Sequence, residues 1–152
     1  MDQGIGNLMG SKSIALITQR SGYDCGICAI AMATGHTYER VIEAAGDDLS
    51  EKGLRSEVKM LQALGYCYDF QNGHPIGDFV CRHRGHVLDP NFFREFAWGR
   101  RALMSVPSLN DEESFHMIYW DGNCIFDPSP KKTYTEWRQL LPDELTLFRE
   151  CN

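Results

Sequence analysis

Ser114-Phe115-His116-Met117-Ile118-Tyr119-Trp120-Asp121-Gly122-Asn123-Cys124-Ile125-Phe126-Asp127-Pro128 is the clearest local signal in the chain. Two apolar, aromatic runs flank Asp121-Gly122, the dipeptide that a tight type I′ turn prefers. The pattern predicts an antiparallel hairpin of strands Phe115–Trp120 and Asn123–Asp127. A two-residue turn pairs Trp120 with Asn123 and sets His116 opposite Asp127 on one face of the ribbon. Further strands are expected at Tyr66–Phe70, Ala102–Val106 and Leu145–Arg149, and a short helix at Thr135–Leu141 stopped by Pro142.

Upstream, the period changes. Ser13–Thr18 reads as a short strand, and Ser21-Gly22 as a turn. Asp24–Thr34 (DCGICAIAMAT) is apolar nearly all round and ends at Gly35, so it is expected to be a helix in the middle of a domain. Thr37 can cap a second helix with Tyr38, Val41, Ile42 and Ala45 on its buried face. A third is expected from about Gly53 to Leu64, with Leu54, Val58 and Leu61 in one stripe and Gly65 at its end. Helices come first and antiparallel strands follow, which is an α+β order and not a doubly wound one. Residues 1–152 read as one domain. Residues 1–12 are expected to be loose, and Gln71–Arg101 is an insert with a short helix around Asn91–Trp98.

The composition is that of an ordinary globular chain: 152 residues, 43% hydrophobic and 24% charged. Fifteen basic against 21 acidic residues leave a net charge of −6, which argues against nucleic acid or an anionic membrane as the main partner. No apolar run approaches the roughly 18 residues of a membrane span. The N-terminal residues lack a basic segment followed by an apolar one, so a cytoplasmic location is expected. In that reducing compartment the six cysteines are expected to form no disulfide framework.

Cys25 stands where a loop enters the central helix. A helix N-terminus favours thiolate over thiol through its macrodipole and free N–H groups. Gln19, six residues earlier, can aim its amide at the space before the sulfur and, with the Cys25 N–H, form an oxyanion hole. His116 is the best-placed base of five histidines, because a hairpin strand holds its imidazole rigidly, and Asp127 faces it as the carboxylate that fixes its tautomer. Taken singly, each residue has a structural reading: a core cysteine, a surface His–Asp pair, an Asp-Pro strand end. Their conjunction points to nucleophilic cysteine chemistry.

With those residues in place, the chain resembles the C39-type bacteriocin-processing peptidases and the wider C39-like group within the papain-like cysteine peptidase fold. Gln19-Arg20-Ser21-Gly22-Tyr23-Asp24-Cys25-Gly26 matches the family's Gln-x5-Cys signature. The CAIAMATG that follows is similar to its catalytic helix, and Lys52–Gly65 to its second helical segment. Ala102–Pro107 is similar to the strand lining its cleft, and Ser114–Tyr119 with Phe126-Asp127-Pro128 to its His strand and Asp-Pro. The resemblance implies a papain-like fold, with a helical N-terminal half and its catalytic helix packed on a C-terminal antiparallel sheet. It implies Cys25 as nucleophile, His116 as general acid and base, Asp127 as orienter and Gln19 in the oxyanion hole. It also implies a peptide or protein substrate cut at a peptide or isopeptide-type amide, with no cofactor or metal. Two features depart from the family: these 152 residues hold no transporter segment, and Gln71–Arg101 has no evident counterpart.

Other readings compete. Cys25-Gly26-Ile27-Cys28 is also a CxxC of the kind used in thiol redox chemistry, but the strand–helix–strand unit expected before it is missing. Cys28 is instead expected in the helix core, facing away from the cleft. Cys81-Arg82-His83-Arg84-Gly85-His86 is cramped for a zinc site and reads as a basic loop. With Arg94, Arg100 and Arg101 it could attract an acidic partner. A catalytically idle protein that keeps the fold and grips a cellular protein, as an effector or inhibitor, is the alternative from another functional class.

Overall fold

The computed structural model describes residues 14–71, 97–140, 142 and 144–151. Within them the helices α1 (Cys25–Thr34), α2 (Tyr38–Ala45) and α3 (Glu57–Ala63) come first. A small hairpin, β1 (Leu49–Ser50) with β2 (Gly53–Leu54), lies between α2 and α3, after a 3₁₀ turn at Gly46–Asp48. The strands β3 (Tyr66–Gln71), β4 (Ala102–Pro107), β5 (Phe115–Trp120), β6 (Ile125–Phe126) and β7 (Glu144–Glu150) form a five-stranded sheet in the order β3-β7-β4-β5-β6. Every neighbouring pair is antiparallel. The α+β class expected from the sequence is the class observed.

Helix α1 is the axis of the fold. Ile27 to Ala33 are each at most 4% exposed, as an all-round apolar helix requires. It packs on β5 and is flanked by α2 and α3. Gly35 ends it in the left-handed conformation (φ 75°) and donates to the Ala31 carbonyl at 2.9 Å. Arg101 adds a second fastening. Its guanidinium donates to the Ala33 carbonyl and to the Tyr119 hydroxyl, and it lies over the Phe148 ring. A cation at a helix C-terminus is favourably placed, so this one ties α1 to the sheet.

Both faces of the sheet are covered. Leu103, Tyr119 and Phe148 join the core under α1, while Met104, Val106, Ile118, Trp120, Leu145 and Leu147 form a second core with Ala97, Tyr134 and Leu140. Side chains alternate between faces along a strand, so two buried faces explain why β4 and β5 read as continuous apolar runs. Trp98 leans on Trp120 and Trp137, with ring centroids 5.5 and 6.0 Å apart.

Several expectations need correction. Residues 14–18 are not a strand; Ile14 and Ile17 pack against the α1 core, and the Ile17 N–H meets the Met32 sulfur at 3.4 Å instead of a ladder partner. The third helix starts at Glu57, because Ser56 caps it by accepting from the Lys59 N–H at 3.3 Å, and Gly53-Leu54 is spent on the β1–β2 hairpin. The expected helix at Thr135–Leu141 is a 3₁₀ turn at Trp137–Gln139, held by the Gln139 side chain on the Glu136 N–H.

The hairpin turn is four residues long, since Tyr119 pairs with Phe126 and Trp120 with Ile125. The Asp121 carboxylate accepts from the N–H groups of Asn123 and Cys124 at 2.9 and 2.7 Å, and this local bonding outcompetes the two-residue turn. Cys67 and Cys151 are joined in a disulfide, against the expectation that all six cysteines stay reduced. The β3–β7 pairing sets Cys67 opposite Arg149 and brings the Cys151 N–H to the Gly65 carbonyl at 3.0 Å. The two Cα atoms lie 5.3 Å apart, within the disulfide range. The basic loop at Cys81–His86 and most of the Asn91–Trp98 helix lie outside the described residues.

Candidate active site

Cys25 is the first residue of α1, so its own N–H has no partner inside the helix and the helix axis ends at its side chain. It is half-buried, and the backbone N–H of Met117 on β5 points at its sulfur from 3.4 Å. That donor was not anticipated. Which edge of a strand turns its N–H outward depends on register, and a local motif does not carry it.

His116 and Asp127 come together. Nε2 of His116 lies 2.6 Å from Oδ1 of Asp127, with side chains 11% and 3% exposed. The longer turn shifts the register by two residues, and an even shift leaves a side chain on the same face. Asp127 thus becomes a diagonal neighbour of His116, one residue beyond the end of β6. The carboxylate is fully engaged. Oδ1 also accepts from the Ser129 N–H at 2.9 Å, and Oδ2 from the Tyr134 N–H at 2.8 Å. The Tyr134 hydroxyl donates in turn to the Pro107 carbonyl at the end of β4.

With Nε2 on the carboxylate, Nδ1 is the ring nitrogen left for Cys25, which lines the same cleft and interacts with the imidazole. Burial opposes a charge on His116, but the hydrogen bonds to Asp127 and then to Cys25 outweigh it and raise the imidazole to about 9. Burial likewise works against an ionised Asp127. The His116 bond and the two backbone N–H groups prevail and hold it below the usual carboxylate range.

Gln19 is placed nearby by its backbone, whose N–H donates to the Pro128 carbonyl at 2.8 Å and so fastens the Cys25 loop to the segment after Asp127. Its side-chain amide donates to the Ser21 carbonyl at 3.1 Å. The structure therefore joins Cys25, His116 and Asp127, with the Gln19 amide turned into its own loop.

Asp24 was read as the start of the helix and has a larger part. It is 3% exposed and accepts from the Arg20 and Ser21 N–H groups at 2.8 and 3.2 Å and from the Tyr38 hydroxyl at 2.9 Å. Burial pushes its carboxyl up, and these bonds pull it lower still. It shapes the Gln19–Cys25 loop from inside. An acidic residue immediately before Cys25 was the available signal. Cys28 is fully buried, and burial, followed by the Asp24 charge, pushes its thiol up to about 12. That removes it from thiolate chemistry alongside Cys25.

The sulfur opens into a cleft of about 420 Å³, counting the part open to solvent, with Tyr23, Leu54, Phe115 and Met117 as apolar walls and Lys52 and Glu57 as charged ones. No helix among the described residues is long and apolar enough to cross a membrane. No known protein family matches the chain by sequence, and no curated protein does. Among solved structures it is similar to a double glycine motif protease from an AMS/PCAT transporter, determined in complex with a leader peptide. The two are 15% identical with a TM-score of 0.53, over 91% of this chain and 93% of that one, so the chain shares the fold of that protease.

Proposed function

We propose that the chain is a cysteine peptidase acting on a peptide or isopeptide-type amide through Cys25, His116 and Asp127. The observation that carries this reading is the 2.6 Å bond from Asp127 to His116 Nε2, which leaves the imidazole's other nitrogen for the Cys25 thiol at a helix N-terminus. A structural His–Asp pair has no need of a half-buried cysteine on its far side. The shared fold with a double glycine motif protease is further support.

In the first half-reaction the thiolate attacks the carbonyl carbon and a C–S bond forms. His116 gives its proton to the leaving nitrogen as the C–N bond breaks. In the second, His116 takes a proton from water, hydroxide adds to the thioester, and the acid leaves with the thiolate restored. The Cys25 N–H and the Gln19 amide are assigned to the oxyanion. For Gln19 this requires its side chain to turn from the Ser21 carbonyl once substrate is bound.

The second reading, an idle binder, draws on that orientation of Gln19. Alkylation by iodoacetamide, followed residue by residue by mass spectrometry, separates the two. A working pair makes Cys25 react at neutral pH at least tenfold faster in the wild type than in His116→Ala. Equal rates in both, with Cys25 accessible, would remove the peptidase reading.

A further inference from the structure

Glu57 has no assigned part in the reaction. It is the first residue of α3, where an acid favours the helix dipole. The dipole accounts for an acid there but not for its place. Glu57 is half-buried and lines the same cleft as the Cys25 sulfur, with Leu54, Tyr23, Phe115 and Met117 around it. Among the described residues no cation comes within ion-pair distance of its carboxylate. Lys52 shares the cleft but is exposed, and a solvated ammonium is well screened.

We infer that Glu57 makes this cleft a cation subsite, which takes a lysine or arginine side chain of the substrate within a few residues of the scissile bond. The substrate class rests on the peptidase reading; the subsite itself does not. The walls fit such a guest. Tyr23 and Phe115 are 59% and 58% exposed at the cleft mouth. Their rings and the Leu54 side chain can cover the methylene stem while the charged head reaches the carboxylate. Burial, joined by the charges of Glu144 and Asp48, raises the Glu57 carboxyl, and a bound cation relieves both effects.

The test uses Cys25 as its own reporter. In a background carrying Cys81→Ser and Cys124→Ser, with Cys28 fully buried, Cys25 is modified with a cationic trimethylammonium-ethyl and an anionic sulfonatoethyl methanethiosulfonate. Glu57→Gln should lower the cation-to-anion rate ratio by about fivefold, and Glu57→Asp should hold it. An unmoved ratio in Glu57→Gln overturns the inference. In a second arm, cut peptides from a mixed pool should be enriched in lysine or arginine near the cut with wild type and lose that enrichment with Glu57→Gln. The same enrichment in both proteins overturns it as well. A wild type that cuts no peptide refutes the peptidase reading instead, and the reagent ratio alone then decides the subsite.

Discussion

His116 Nε2 and Asp127 Oδ1 are 2.6 Å apart although the strand pairing that ought to oppose them stops at Phe126. The bond survives because Asp127 is gripped from its other sides by Ser129 and Tyr134. Asp127→Asn keeps the shape and removes the charge, so an amide replaces the acceptor that fixes the ring. The His116 imidazole should then titrate far below about 9, since burial is no longer outweighed. Turnover should fall on the order of 10²–10⁴-fold. Histidine titration by NMR, beside a peptidase assay, reads both effects; an unchanged imidazole titration would refute the geometry.

The same pair sets a pH window for stability. His116 is raised in the fold, so its contribution is complete below its ordinary value of 6.5 and is lost as pH rises through about 9. Asp127 is lowered, so its contribution is present above its ordinary value of 3.8 and is lost as pH falls through its folded value. The Tm gap between wild type and Asp127→Asn should therefore be widest between these limits and close at both ends. A gap that stays constant from pH 3 to 10 would contradict the coupling.

Asp24 answers to a different measurement. Asp24→Ala removes the acceptor of two part-buried backbone N–H groups and of the Tyr38 hydroxyl, at a cost of about 2–3 kcal/mol. Tyr38→Phe removes one bond and should cost about 1 kcal/mol. Urea melts give both values, and the order of the two losses is the check.

The disulfide closes a separation of 84 residues. Replacing Cys67 or Cys151 by serine should cost about 2–5 kcal/mol, or roughly 5–15 °C in Tm for a chain of this size. The reduced wild type should match the variants. Intact mass after alkylation of the denatured, unreduced chain tests the bond directly: four of the six cysteines should be labelled.

What the sequence revealed and what it hid follow from the range of the forces. The Thr37 cap, the Gly35 stop and the apolar run of α1 are local, and each was legible. The meeting of His116 and Asp127 was legible too, because strand parity carries a side chain to the right face even when the turn length is misjudged. The turn itself was hidden because the Asp121 carboxylate bonds its own loop, and because Gly122 fits against the Gly99–Arg100 backbone, with its carbonyl accepting the Gly99 N–H at 2.8 Å. The Cys67–Cys151 bond depends on which strand lies beside β3, and no local pattern in either segment states that β7 does.

Gly53 links the β1–β2 hairpin to the cleft. Its φ of 96° disfavours any other residue, and a Cβ there would stand 2.3 Å from the Tyr23 carbonyl oxygen. That neighbour is backbone, so it cannot swing aside as a side-chain tip would. Tyr23 lies two residues before Cys25 and borders the cleft. Gly53→Ala should therefore cost about 1–3 kcal/mol and also push the Tyr23–Cys25 loop out of register with His116. The expected result is a slower alkylation of Cys25 in a protein that is still folded at 25 °C. Gly65→Ala serves as the control, since it has a similar φ of 92° but open space around its Cβ. It should lose stability by backbone strain and leave the Cys25 rate unchanged. If both variants slow the cysteine equally, the effect is one of global stability, and the close approach of Gly53 to Tyr23 does not set the position of Cys25.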